Sequence, residues 1–335
     1  GLPESRELTL RAVVDIVRRY DIDGIHMDDY FYPYPEDRHG QRIEFPDGPT
    51  YDGYRRSGGQ LSRSDWRRSN NDEMVRELYA AVKAEKPWVK FGISPFGIWR
   101  PGFPATTTAG LDQHEELFAD VRKWLNEGWL DYIAPQLYWP VQPADQSYPV
   151  LLKWWVDENH KGREIWPGLA AYKIPVVGVK HMSAAEITQE IELTRAQPGA
   201  HGHVLFNADV IMKNMDHLAD RLAVEYQEPA LVPAMPWLDS IAPGRPEASL
   251  ALDSLETKVV RFQPSDAKAL SSWLVQARVD GAWRSAVLPS TERLFILSGP
   301  DARADVISVI AVDRVGNLSP AAIVRRAPDP DRHTP

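Results

Sequence analysis

Cysteine is absent from the 335 residues. Disulfides, thiolate metal sites and cysteine nucleophiles are thereby excluded. No Lys/Arg-rich run stands out, and the formal net charge is -9. Nucleic acid and anionic membrane surfaces are therefore not expected partners. No apolar run approaches the roughly 20 residues that a membrane span needs. Neither an EF-hand pattern nor HExxH occurs, so no metal and no cofactor is expected. No GxGxxG or GxxxxGK[ST] follows an apolar run, which disfavours a nucleotide-binding fold. No signal peptide precedes Gly1, and the sequence is expected to be a mature or truncated form.

What is present is an ordinary globular balance, 43% hydrophobic and 25% charged, with length enough for two domains. The 12 Trp, 12 Tyr and 28 Pro are more informative. The apolar face of a sugar stacks on an aromatic ring, so carbohydrate clefts are often lined this way. Core and loop packing accounts for most such rings in any protein.

Apolar spacing predicts a helix over 7–20, with Leu8, Leu10, Val13, Val14, Ile16 and Val17 on one face. DGIHMDD (23–29) is a short strand-like run. Helices follow at 65–86, 112–127, 150–161 and 183–197, and strands at 89–96, 130–139, 164–172 and 202–208. Five apolar strands alternating with helices predict a parallel α/β array. Polar and aromatic residues gather at the strands' C-terminal ends: Asp28-Asp29, Ser94-Pro95, Gln136 with Tyr138-Trp139, Tyr172-Lys173, and Asn207. That is the active-site face of a (β/α)8 barrel, and the ligand edge of an open doubly wound sheet as well. The expected fold is an incomplete TIM (β/α)8 barrel, with strands 4–8 present and strands 1–3 missing or on another segment. A five-stranded open sheet is the alternative.

Proline density marks residues 229–245 as a linker between the barrel part, 1–228, and a domain over 246–327. In that last domain the hydrophobic period changes to two. Short strands separated by turn signals, Asp280-Gly281 among them, predict a small all-β sandwich of fibronectin type III or immunoglobulin style.

DGIHMDDYFYPYP (23–35), DWRRSN (65–70), FGISPFGIWRPG (91–102), GWLDYIAPQLYWP (128–140) and GLAAYKI (168–174) occur in that order. Together they resemble the glycosyl hydrolase-like family 10 proteins over about residues 1–225. The resemblance implies a (β/α)8 barrel that hydrolyses glycosidic bonds, secreted or held in the cell envelope, often with a small C-terminal β-domain. The implied partner is a polysaccharide or oligosaccharide substrate, bacterial cell-wall glycan being one possibility.

Glycoside hydrolysis commonly uses two carboxyl groups flanking the scissile bond. Along the first strand, Ile25 and Met27 suit the face against the helices. Asp23, His26, Asp28 and Tyr30 are then expected toward the lumen. A lumen-facing carboxylate near the mouth needs partners or a function, which makes Asp28 the first catalytic candidate. His26 is either its hydrogen-bonding neighbour or a satisfied core histidine. Asp29 either shares the chemistry or anchors the following loop. Tyr30 stands where chitinase-like barrels carry a glutamate, which weakens a substrate-assisted route. Further candidates for the second acid are Asp112 and Glu115. The Glu115-Glu116 pair has a simpler reading as acids favoured at a helix start. Expected sugar contacts are His26, Tyr30, Tyr32, Trp99, Arg100, Gln136, Tyr138, Trp139, Tyr172 and Asn207. The stretch 30–64 is long for a loop, which points to function. Arg67, Arg68 and Asn70 are expected to pin it. A non-catalytic carbohydrate-binding barrel remains the rival reading.

Overall fold

The computed structural model describes residues 1–142, 144–178, 181–252 and 257–325. The chain divides into two compact units, Gly1–Glu225 and Tyr226–Pro335.

In the first unit, helix α1 (Pro3–Arg19) leads into strand β1 (Gly24–Met27). Pro3 sits in the first turn, where a missing N–H costs nothing. The stretch 30–64 is not a bare loop. It holds a two-rung hairpin, β2 (Asp37–Arg38) and β3 (Gln41–Arg42), and helix α2 (Gly48–Arg56). Helix α3 (Arg63–Glu85) begins at Ser62, whose Oγ accepts the Asp65 N–H at 3.1 Å. The chain continues through β4 (Lys90–Ile93), α4 (Gln113–Glu116), α5 (Val121–Glu127) and β5 (Tyr132–Ile133). Then come α6 (Tyr148–Asp157), β6 (Glu164–Ile165), β7 (Gly168–Leu169), α7 (Ala184–Ala196) and β8 (Val204–Leu205). Helices α8 (Ala208–Met212) and α9 (Leu218–Glu225) close the unit.

β1 pairs with β4, β4 with β5 and β5 with β6, all parallel. A bridge between Gln136 and Gly168 carries the array on to β7, which pairs in parallel with β8. The strands thus stand side by side in sequence order, without the reversal that defines a doubly wound sheet. The arc is open: among the described residues no ladder joins β8 to β1.

Several elements are shorter than their hydrophobic runs, for local reasons. Pro135 and Pro167 have no N–H to donate, so the runs 130–139 and 164–172 shrink to short ladders. The helix expected over 112–127 is two helices. Phe118 turns to φ 52°, and Asp120 then caps a new start by accepting the Lys123 N–H. The core between arc and helices is built from Val17, Leu78, Phe91, Ile133, Trp155 and Ile187, all fully buried. Leu8 and Ile16 of α1 lie outside it, exposed.

The second unit has two antiparallel sheets of order β13-β10-β9 and β12-β11-β14-β15. These strands are β9 (Glu247–Leu252), β10 (Lys258–Gln263), β11 (Leu270–Val279), β12 (Ala282–Pro289), β13 (Leu294–Ile296), β14 (Val306–Asp313) and β15 (Ala322–Arg325). Val260 and Phe262 from one sheet meet Trp273, Val275 and Val309 from the other in one core, so the unit is a β-sandwich. The 229–245 segment packs on this unit. Met235 is fully buried and its N–H donates to the Val315 carbonyl at 2.8 Å. Asp239 pairs with Lys268 at 2.8 Å.

Candidate functional site

The C-terminal ends of β1, β4 and β5 meet at Asp28. Its carboxylate is exposed just past β1, and Oδ1 accepts two hydrogen bonds. One comes from the Asp29 N–H at 3.0 Å, the other from Gln136 Nε2 at 2.9 Å. The same Gln136 nitrogen also donates to the Ser94 carbonyl at 3.0 Å. One amide thereby ties the ends of β1, β4 and β5. Gly97 makes this possible, because a Cβ there would lie 2.1 Å from the Gln136 carbonyl oxygen.

Asp29 differs from its neighbour in every respect. It is buried, and Oδ2 accepts the Tyr34 hydroxyl. Burial pushes its carboxyl above the ordinary range, the Tyr34 hydrogen bond opposes this, and the Asp28 charge adds to the rise. Adjacent carboxyl groups thus stand in unlike environments, one open and one closed under a tyrosine.

His26 lies one layer deeper. Its Nδ1 is 2.9 Å from the Tyr132 hydroxyl, so its partner is Tyr132 and not Asp28. Burial holds the imidazole below its ordinary range, against the opposing pull of Asp28. Tyr132 stacks on Trp166 with centroids 4.4 Å apart. Gly92 leaves room for the Tyr132 ring, which would be 2.2 Å from a Cβ at that position. Asp23 shares the parity of Ile25 and Met27, so alternation does not place it with His26 and Asp28.

Glu115 is tied elsewhere, to Arg68 at 3.2 Å, Arg100 at 3.3 Å and His114 Nδ1 at 2.9 Å. Partial burial pushes its carboxyl up, but the His114 and Arg68 contacts outweigh this and it lies below its usual range. Asp112 accepts from Arg100 at 3.2 Å and caps α4. Arg100 is therefore occupied by two acids.

Among the rings, Trp99 is a correction. It is buried, packed parallel on Trp154 at 6.1 Å, with its indole N–H on Asp120, and offers no face to a sugar. Tyr32 is also buried, under Phe45 and Phe118, and its hydroxyl accepts from Asn70 at 3.2 Å. Tyr30 is largely exposed and meets Tyr34 edge-on. Trp139 is half-buried against Phe96. Tyr138 and Tyr172 pack edge to face at 5.6 Å at the mouth of β5 and β7. Asn207, just past β8, leaves its Oδ1 buried and without a hydrogen-bond partner. Phe206, absent from the expected set, joins Tyr138 and Tyr172; alternation along VLFNA, with Leu205 toward the core, would have pointed to it.

A groove of about 670 Å³ runs beside Tyr34, bounded by Phe45, Arg42, Arg63, Glu115 and Phe118. One buried carboxylate fixes its wall. Asp47 accepts from Arg67 at 2.8 Å through each oxygen and from Arg63 Nε at 3.1 Å. Burial pushes Asp47 up, and the two guanidinium groups more than reverse that. Among the described residues no group of three or more His, Asp or Glu is placed to hold a metal ion, and no helix is long and apolar enough to cross a membrane.

An α/β unit with parallel strands in sequence order, and with carboxyl groups and rings at their C-terminal ends, has the frame of a glycoside hydrolase-like protein. The chain belongs to the glycosyl hydrolase-like 10 family, whose profile matches residues 1–184. It is 38% identical over 277 residues to the glycosyl hydrolase YngK of Bacillus subtilis, covering 80% of this chain and 53% of that protein. It is 34% identical over 223 residues to the glycosyl hydrolase DigH of Escherichia coli, covering 64% of this chain and 49% of that one. The chain thus spans about half the length of these curated relatives. Likeness to solved structures is slight. Bee venom hyaluronidase in complex with a hyaluronic acid tetramer aligns with a TM-score of 0.34 at 16% identity, over 53% of this chain and 59% of that one.

Proposed function

We propose that this chain forms the acid-bearing part of a glycoside hydrolase that cleaves O-glycosidic bonds in a polysaccharide, bacterial cell-wall glycan being the first substrate to test. The observation that carries the reading is the unlike pair at the end of β1. Asp28 is exposed and held by two N–H donors, while adjacent Asp29 is closed off under Tyr34, its carboxyl pushed above the ordinary range by burial. Carboxyls in unlike environments, one open and one buried, are the means by which one site supplies both an acid and a base. In this reading Asp28 acts as the carboxylate base or nucleophile. Asp29 orients Asp28 through its backbone N–H. The groove beside Tyr34, with Tyr30 and Trp139, receives the glycan.

The sequential strand order supports reading the unit as strands four to eight of a (β/α)8 barrel. The three-plus-four strand order of the second unit supports a fibronectin type III-like module. Both readings suit a secreted or cell-envelope protein.

The second reading, a carbohydrate-binding protein without hydrolysis, is favoured by one observation: Glu115, a candidate second acid, is engaged by two arginines. Release of reducing ends from purified cell-wall glycan and from a panel of β-linked polysaccharides separates the two. Saturable release over time supports the hydrolase. Binding to a glycan without any release supports the binder.

A further inference from the structure

The ring cluster past β8 carries a separate inference, which rests on the carbohydrate reading above. Along β8, Leu205 packs into the core and Phe206, next in the alternation, turns to the opposite face, where it is 48% exposed. A phenylalanine half in solvent has a reason for its position when its neighbours hold it there. Tyr172 N–H donates to the Phe206 carbonyl at 2.8 Å. The Phe206 and Tyr138 rings lie within 25° of parallel, centroids 6.1 Å apart. Tyr172 meets both rings edge-on, at 5.6 Å and 5.7 Å. This interlocked geometry fixes three rings without closing over them. The 6.1 Å spacing leaves no slot for a guest between the parallel pair, so a ligand lies on the cluster's open face.

A second observation is independent of the rings. Asn207 occupies the position before α8 that an asparagine normally uses to cap a helix, yet its side chain caps nothing. Its Oδ1 is buried and unpartnered. A buried acceptor without a donor is destabilising, and a hydroxyl delivered by a ligand would satisfy it. The nearby Lys173 Nζ is taken by the Tyr138 carbonyl.

We propose that Phe206, with Tyr138 and Tyr172, forms a stacking platform for a neutral pyranose residue, one of whose hydroxyls donates to Asn207 Oδ1. Phe206 is the residue that sets affinity at this subsite. Gln136, two residues before Tyr138, donates to Asp28 Oδ1 at 2.9 Å, so the platform adjoins the acid pair and holds a sugar of the same chain.

The test uses the full chain and two neutral probes, chitohexaose and cellohexaose, with binding followed by calorimetry. Phe206→Leu keeps apolar volume and removes the flat face; Phe206→Trp enlarges it. Wild type is expected to bind at least one probe. Phe206→Leu should weaken binding about 3- to 10-fold, the size of an aromatic-face contact, and Phe206→Trp should restore or exceed it. Equal affinity in all three proteins overturns the platform, as does binding of neither probe by wild type. Reducing-end release measured alongside keeps the two ideas apart. Leucine-sensitive binding without any release leaves the platform standing and removes the hydrolase. Release with Phe206-independent binding does the reverse.

Discussion

Gln136 Nε2 reaches from the end of β5 to Asp28 Oδ1 at the end of β1, 2.9 Å away, passing over the Ser94 carbonyl to which it also donates. A hydrogen bond to a charged group contributes about 1.5–3 kcal/mol. In the hydrolase reading, Gln136→Ala should lower kcat/KM by roughly 10- to 100-fold, more than its loss of stability explains. Steady-state kinetics with a thermal melt checks both halves. A loss of stability without loss of rate would assign Gln136 to scaffolding alone.

Gly97 lies under that contact. An added Cβ would stand 2.1 Å from the Gln136 carbonyl oxygen, and backbone cannot swing aside as a side-chain tip can. Gly97→Ala should destabilise the protein by about 1–3 kcal/mol, as overpacking does. It should also reduce activity more than the stability loss explains, because Gln136 is displaced from Asp28. Urea unfolding and kinetics on the same preparation measure the two effects.

Asp47 is the anchor of the 30–64 stretch, buried between Arg63 and Arg67. Removing one partner of a buried pair strands the other charge, at a cost of about 3–5 kcal/mol. Asp47→Ala is expected to show a loss of that size in urea unfolding, with new protease cleavage confined to residues 30–64. Cleavage spread over the whole chain would contradict the anchoring role.

Glu190 gives a pH prediction. It is fully buried on α7 with both carboxyl oxygens unbonded, and burial, followed by the Glu186 charge, pushes it up to about 9. Its folded-state affinity for a proton exceeds the unfolded one, so between an ordinary carboxyl pKa and about 9 the native state binds more protons. The group's contribution is therefore full in acid and lost as pH rises through that window. Glu190→Gln removes the titration. Its stability advantage over wild type should grow with pH by up to about 1.4 kcal/mol per unit. Paired unfolding curves from pH 5 to pH 9 test this; a constant gap would refute it.

The order of strands and helices was legible in the sequence because apolar runs and helical spacing are local signals. Their ends were less so. Pro135 and Pro167 sit inside runs that look continuous by hydrophobicity, and the break at Phe118 depends on a positive φ that no composition rule marks. Strand parity singled out Asp28, and its carboxylate is exposed. The burial of Asp29 beneath Tyr34 comes from a loop that folds back on itself, which parity does not describe. Trp99 failed as a sugar contact for the same kind of reason. Its place in the core is set by Trp154 on α6, some 55 residues away in the chain. Phe206 was within reach of alternation along the expected strand 202–208.

The proposed chemistry rests on the carboxylate of Asp28. The measurement that tests it most directly compares reducing-end release by wild type and Asp28→Asn on the same glycan, with glycan binding measured on the same samples. The expected result is unchanged binding with turnover reduced by about three orders of magnitude or more, the scale on which loss of an acid–base group is felt. Turnover within a few-fold of wild type would contradict the assignment of Asp28 and, with it, the proposed chemistry.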